Sequence, residues 1–122
     1  MTADIVIHAL LSLRVPPGAS EADIHARIAA RLEAAGIRCV HEAKIAPRCR
    51  IDFLAGDVGI EVKRGRPSRR ILLKQMSRYA VSESVAALIL VAERGASLPA
   101  KVGGKPCYCI SLSRLWGVAL PA

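Results

Sequence analysis

Two hydrophobic periods alternate along this chain. Apolar residues at helical spacing mark Ile5, Val6, Ala9, Leu10 and Leu13, although Leu11 to Val15 also reads as the start of a strand. Pro16, Pro17 and Gly18 break that segment. Ser20 then opens a helix that runs to Ala35 and stops at Gly36, with Ile24, Ile28, Ala29, Leu32 and Ala35 as its buried stripe and Arg27, Arg31 and Glu33 towards water. From Ile37 to Ala46 the period drops to two. That predicts a strand with Val40, Glu42 and Lys44 on one side and Cys39, His41, Ala43 and Ile45 on the other.

The stretch from Arg50 to Arg64 holds two short apolar runs around Gly56-Asp57-Val58-Gly59, a β-hairpin with a loop somewhat longer than the tightest kind. Ser68 caps a further helix reaching about Ser82, with Leu72, Met76 and Tyr79 or Ala80 facing inward. Val85 to Ala92 is apolar throughout, as expected of a central strand covered on both faces and paired in parallel. Gly95 to Gly104 reads as a loop, Cys107 to Leu112 as a last strand, and Ser113 to Ala119 as a short terminal helix. At 122 residues the pattern fits one α/β domain, a mixed central sheet flanked by helices.

Within the hairpin the charges have a pattern of their own. Side chains alternate along a strand, so Glu61 and Lys63 share a face while Ile60 and Val62 take the other. If Ile51 and Phe53 both enter the core, Asp52 lies on the opposite face beside Glu61. Adjacent carboxylates repel, and a divalent cation removes the conflict. Mg²⁺ is held by one or two carboxylates, keeps several waters and takes further oxygens from a phosphate, which suits Asp52 and Glu61. The same three residues also make an ordinary solvated strand face with a weak cross-strand ion pair.

The order Asp52, then Glu61-Val62-Lys63, resembles the catalytic core of the PD-(D/E)XK nuclease superfamily, with Ile51 where many members have a Pro. Twelve residues past Lys63, Gln75-Met76-Ser77-Arg78-Tyr79 is similar to the Gln-x-x-x-Tyr motif of RecB-like exonucleases. The resemblance covers about residues 20 to 93, with residues 1–18 and 105–122 as additions. It implies a restriction-endonuclease-like αβββαβ core and Mg²⁺-dependent (or Mn²⁺-dependent) hydrolysis of phosphodiester bonds in DNA. Asp52, Glu61 and the carbonyl of Val62 would hold the metal, Lys63 would orient the attacking water or neutralise charge on the phosphate, and Gln75 would position substrate. Tyr79 would pack against the motif.

Members also place a metal-associated Glu near the start of the first helix, and Glu21 lies thirty-one residues before Asp52. Glu21 and Asp23 are equally what a helix dipole favours in a first turn. Glu42 competes for the same part, with an exposed edge charge as its plainer reading. RecB-like enzymes use a His metal ligand upstream of the Asp, for which His25 and His41 are candidates, and either is also at home as an ordinary core or surface residue.

Charge extends this picture. Eighteen Lys and Arg against ten Asp and Glu give a net +8, which points to a polyanionic partner. Four arginines, Arg64, Arg66, Arg69 and Arg70, follow directly on Lys63, and Lys74 and Arg78 continue the series as groups that grip phosphates. Aromatics make up only 3% of the chain, so base stacking is not expected to dominate. DNA is the expected partner, RNA is not excluded, and a homodimer or a larger DNA-processing complex stays open. A non-catalytic nucleic-acid-binding subunit and a basic protein that binds or inhibits an acidic partner are the alternatives. Cys39, Cys49, Cys107 and Cys109 form no Cys-x-x-Cys pair and are expected as reduced, mostly buried thiols. Residues 5–13 are too short to cross a membrane and follow Asp4 instead of a basic region, so a cytoplasmic location is expected.

Overall fold

A computed structural model of the chain describes residues 2–115. Six strands form one mixed sheet in the order β1-β2-β3-β4-β6-β5, comprising β1 (Val40–Ala46), β2 (Cys49–Ala55), β3 (Val58–Lys63), β4 (Ala87–Ala92), β5 (Lys101–Val102) and β6 (Lys105–Ser111). The β1, β2 and β3 neighbours are antiparallel, β4 pairs parallel with both β3 and β6, and β5 returns antiparallel on β6. Among the described residues three α-helices flank this sheet: α1 (Ala3–Leu10), α2 (Glu21–Ala34) and α3 (Arg69–Ala80). The domain is therefore α/β, and no helix among the described residues is long and apolar enough to cross a membrane.

Strand β4 shows how the core is divided. All six of its residues are buried. Ile89 and Val91 pack with Val6, Leu10, Ile24, Ile28 and Leu32 of α1 and α2, whereas Leu88, Leu90 and Ala92 pack with Leu72, Met76, Tyr79 and Ala80 of α3. Alternate residues of one strand point to opposite faces, so α1 and α2 cover one side of the sheet and α3 the other. Ser20 and Ser68 cap α2 and α3, accepting from the backbone N–H of Asp23 (3.0 Å) and Ile71 (3.4 Å).

Several expected boundaries move. The Asp52 hairpin has the tightest loop, since Ala55 pairs with Val58 and leaves only Gly56 and Asp57, with Gly56 at φ +63° as a type II′ turn requires of its first central residue. The expected loop 95–104 contains β5. Residues 37–39 precede β1 instead of belonging to it. In α2 it is His25, not Ala35, that completes the buried stripe, because Ala35 sits past the last turn and is exposed. Ile5 turns out to be 53% exposed. The expected terminal helix begins as a 3-10 turn, Leu112–Leu115, and its remainder lies outside the described residues. Of the four cysteines only Cys49 and Cys107 are buried.

The most consequential correction concerns β2. Ile51 and Phe53 are both buried but in different layers: Phe53 packs with the α1 and α2 residues and Ile51 with those of α3. Alternation along β2 therefore breaks at Asp52, and it breaks on β1 as well. His41 stacks on Phe53, while Ala43 and Ile45 join the α3 layer. Between them Glu42 adopts φ +57°, a left-handed backbone that L-residues seldom take. At the same point β2 leaves β3: their pairing ends at Phe53 and Ile60, while β2 stays paired with β1 as far as Cys49. The sheet forks at Asp52.

Gly59 makes room for that crossing. A Cβ at position 59 would lie 2.6 Å from Ile51 Cδ1 and 3.2 Å from Leu88 Cδ2, so the side chain of Ile51 occupies space that only glycine leaves free. Gly59→Ala is expected to destabilise the fold by about 1–3 kcal/mol through overpacking. Urea denaturation checks this as a lower midpoint at unchanged slope.

Candidate functional site

The fork creates a demand for hydrogen bonds. Where the β2–β3 ladder stops, the facing main-chain groups lose their partners, and two carboxylates replace them. Val62 N–H donates to Asp52 Oδ2 (2.8 Å), and Asp52 N–H donates to Glu61 Oε1 (3.2 Å). The result is a reciprocal clasp. Backbone N–H and C=O of one strand residue point to the same edge, and Val62 N–H points at Asp52, so the Val62 carbonyl also faces the fork. The two carboxylates meet at the fork, and the Val62 carbonyl lies on the strand edge that faces it.

Glu61 lies deepest, 4% exposed. Its second oxygen, Oε2, accepts from Gln75 Nε2 (3.0 Å) and forms an ion pair with Lys63 Nζ (3.4 Å). Burial, followed by the neighbouring charge of Asp52, pushes the Glu61 carboxyl up to about 7, against the partial opposing effect of Lys63. Gln75 and Tyr79 are neighbours on one face of α3, and the same Gln75 amide also donates to Tyr79 Oη (2.9 Å). Tyr79 is buried and donates to the Arg50 carbonyl (3.4 Å). Burial and the Glu61 charge hold its phenol well above the usual range, so it remains a neutral brace.

Glu21 is not brought to this pair. It is exposed in the first turn of α2 and makes no hydrogen bond or ion pair with Asp52 or Glu61 among the described residues. One helical turn further on, His25 does reach it: His25 Nε2 lies 3.6 Å from Asp52 Oδ2, and His25 Nδ1 lies 2.8 Å from His41 Nε2. Glu42 falls opposite Asp52 between the pairs His41–Phe53 and Ala43–Ile51, but is exposed, 3.6 Å from His41 Nε2. A strictly amphipathic reading of α2 gives His25 little weight. The resemblance offers His25 together with His41, and its position beside Ile24 and one turn before Ile28 puts His25 on the buried stripe.

Arg64, Arg66, Arg69, Arg70, Lys74 and Arg78 are all exposed. They are not equivalent. Arg78 Nη2 donates to the Arg48 carbonyl (3.1 Å), tying α3 to the β1–β2 turn. The loop carrying Arg64 and Arg66 is fastened by Glu93, whose Oε1 accepts from Gly65 N–H (2.6 Å) while its own N–H donates to the Lys63 carbonyl (2.8 Å). Lys44, Arg48 and Arg50 add exposed positive charge on the β1–β2 ribbon, which the single cluster after Lys63 does not foretell.

An ordinary carboxyl ionises near 4.5 in the unfolded chain, whereas Glu61 in the fold does so near 7. Between those values the folded state holds the extra proton, so ionising Glu61 lowers stability as pH rises through that window. A carboxyl-carbon NMR titration of the metal-free protein should give a midpoint near 7 for Glu61. Asp52→Asn should lower that midpoint and flatten the fall in thermal stability between about pH 5 and 8, because it removes the repelling charge. An unshifted midpoint would mean that the two carboxylates do not interact.

Comparison of the chain with protein-family models, with curated proteins and with solved structures finds no match.

Proposed function

We propose that this chain is a metal-dependent nuclease of the PD-(D/E)XK type with a RecB-like Gln-x-x-x-Tyr element, hydrolysing phosphodiester bonds in DNA. The observation that carries the reading is the clasp at the fork, in which Val62 N–H holds Asp52 and Asp52 N–H holds Glu61, with Lys63 Nζ 3.4 Å from Glu61. The element order α2, β1, β2, β3, α3, β4 is the αβββαβ order of that superfamily's core.

The donor set suits a hard divalent cation, Mg²⁺ or Mn²⁺: two carboxylates and a main-chain carbonyl, one carboxyl so disfavoured as an anion that it ionises only near 7 without help. A bound cation would offset the Asp52–Glu61 repulsion, lower the pKa of a coordinated water and stabilise charge building on the phosphate. This chain's residues do the positioning. Asp52 keeps its orientation because Oδ2 is held by Val62 N–H, leaving Oδ1 for the cation. Glu61 is held on both oxygens, by Asp52 N–H and by Gln75. Lys63 is half-buried beside Glu61, where its ammonium can hold the attacking water or the phosphate oxygen that gains charge. Gln75 donates to Glu61 and can pass that donor to substrate, while Tyr79 fixes its amide.

The exposed Arg64, Arg66, Arg69, Arg70 and Lys74 carry the phosphate grip, with Arg78 shared between that and its tether to Arg48. DNA is the proposed substrate, and an RNA comparison belongs in the same assay.

Asp52→Ala and Glu61→Ala are expected to abolish Mg²⁺-dependent cleavage of plasmid and linear DNA while retaining DNA binding, at a cost of about 1–3 kcal/mol in stability for the main-chain N–H each leaves unpartnered. Binding retained without turnover in the wild-type protein would favour a non-catalytic subunit. Cleavage persisting in both variants would remove Asp52 and Glu61 from the chemistry.

Replacing Arg66, Arg69 and Arg70 together by Ala should weaken DNA binding and reduce the slope of log affinity against log salt by about three at most. An unchanged slope would make these residues a solubilising surface.

A further inference from the structure

The fork has two prongs, and the nuclease reading uses only one of them. Between Ala43 and Ile51 the β1–β2 ribbon runs on without β3, a two-stranded arm on one side of the Asp52–Glu61 pair. On the other side β3 ends in Lys63 and gives way to the loop of Arg64 and Arg66.

The ribbon carries three cations, Lys44, Arg48 and Arg50, and no carboxylate between Ala43 and Ile51. Lys44 and Arg50 are direct cross-strand partners. Like charges placed opposite each other on neighbouring strands destabilise the pairing. Nothing in the chain relieves them. All three side chains are exposed, and among the described residues none of their ammonium or guanidinium groups has an acceptor or an acidic partner.

The main chain beneath them, by contrast, is tied down. Ala43, Ile45, Cys49 and Ile51 are buried with the α3 layer. Three ribbon carbonyls accept from α3 or the residues just after it: Ile45 from Ser82 Oγ (2.8 Å), Arg48 from Arg78 Nη2 (3.1 Å) and Arg50 from Tyr79 Oη (3.4 Å). Side chains alternate along a strand, so Lys44 and Arg50 lie on the face turned away from α3. A fixed ribbon with opposed, unpartnered cations on its open face gains from a bound anion.

We propose that the β1–β2 ribbon is a second phosphate-binding arm and that the chain takes double-helical DNA across the fork, with Lys44, Arg48 and Arg50 on one backbone and the arginines after Lys63 on the other. The assignment rests on the nuclease reading only in taking the Asp52–Glu61 pair as the place where a backbone is presented. Two observations favour a duplex over a single strand. Cations stand on both sides of the pair, and a double helix offers a line of phosphates to each. Single strands are held largely by stacking their bases on aromatic rings, and among the described residues the two arms have no free ring to offer. Phe53 and Tyr79 are buried, His41 is already stacked on Phe53, and Tyr108 lies on β6, three strands away from β2. A grip made of phosphate contacts alone gains more from the denser charge of a duplex, whose salt slope per contact is about 0.9 against about 0.7 for a single strand.

The test reads binding in chelator, without turnover. Fluorescence anisotropy follows a short labelled DNA duplex, and one of its strands alone, over a range of salt. Lys44→Gln combined with Arg50→Gln should weaken duplex binding at least tenfold at low salt and cut its salt slope by about two at most, while the single strand loses less than about threefold. The thermal midpoint of this variant should hold or rise, because the opposed charges are gone. Lys44→Gln alone, with about half the loss of slope, repeats the measurement with a single exposed change. An unchanged duplex slope would overturn the proposal and return the ribbon to a solubilising surface or to an acidic protein partner. Equal losses for duplex and single strand would overturn it as well, by placing both arms on one backbone. Mg²⁺-dependent cleavage is scored separately. Ribbon-dependent duplex binding without cleavage by the wild-type protein keeps the arm and removes the nuclease reading, whereas wild-type cleavage with ribbon-independent binding does the reverse.

Discussion

The exchange of main-chain for side-chain hydrogen bonds at the fork is the constraint on which the rest of this structure depends. A sheet that splits leaves buried N–H groups that cost about as much as a lost hydrogen bond unless something replaces their partners. Asp52 and Glu61 are those replacements, each serving the other's strand. An ionised carboxylate offers acceptors and no donor, and charge-assisted bonds to N–H are the stronger kind, so carboxylates suit the task better than amides would. The cost is two like charges side by side, one of them nearly sheathed in protein. Structural need and chemical potential thus arise from the same pair.

Everything around the pair limits that cost without cancelling it. Lys63 supplies one positive charge, Gln75 one donor, and Tyr79 holds Gln75 through a phenol that cannot itself ionise in the normal range. The raised Glu61 carboxyl measures what is left over. Such a pair lowers the stability of its own fold and, on the proposed reading, would gain from a cation, the trade expected where function and stability compete. The left-handed backbone at Glu42 belongs to the same account, since strained residues persist only where surrounding packing over-determines them.

Much of this was legible in the residues, and the parts that were not share a cause. The unbroken apolar run of β4 is typical of a strand covered on both faces, and period two places Glu61 and Lys63 together. The four-residue spacing on α3 brings Gln75 to Tyr79. Ile51 and Phe53, by contrast, obey the alternation in sequence and violate it in space, because a fork is decided by which strand pairs with which and not by local pattern. Glu42 is equally silent: glutamate has no preference for the left-handed region, and nothing beside it announces the turn. His25 is offered by the family resemblance and not by the pattern, which shows only a polar ring on a stripe of Ile24, Ile28 and Leu32. Glu21, the acid that spacing and the helix dipole favour, stays at the rim.

The fastening of the basic loop by Glu93 has an entropic reading. Gly65 is pinned two residues after β3 ends, and Ser68 is fixed again as the cap of α3, so only Arg66 and Pro67 lie between two anchored points. Proline's ring has already set one of the remaining torsions. A free segment would surrender about 1–2 kcal/mol per residue each time it settled on a polyanion. On the proposed nucleic-acid reading, that ordering is completed once, when the chain folds, and only the long side chains would remain to be stilled at each encounter. A main chain fixed beneath exposed guanidinium groups would then let one surface meet differently shaped phosphate backbones without being remade for any one of them.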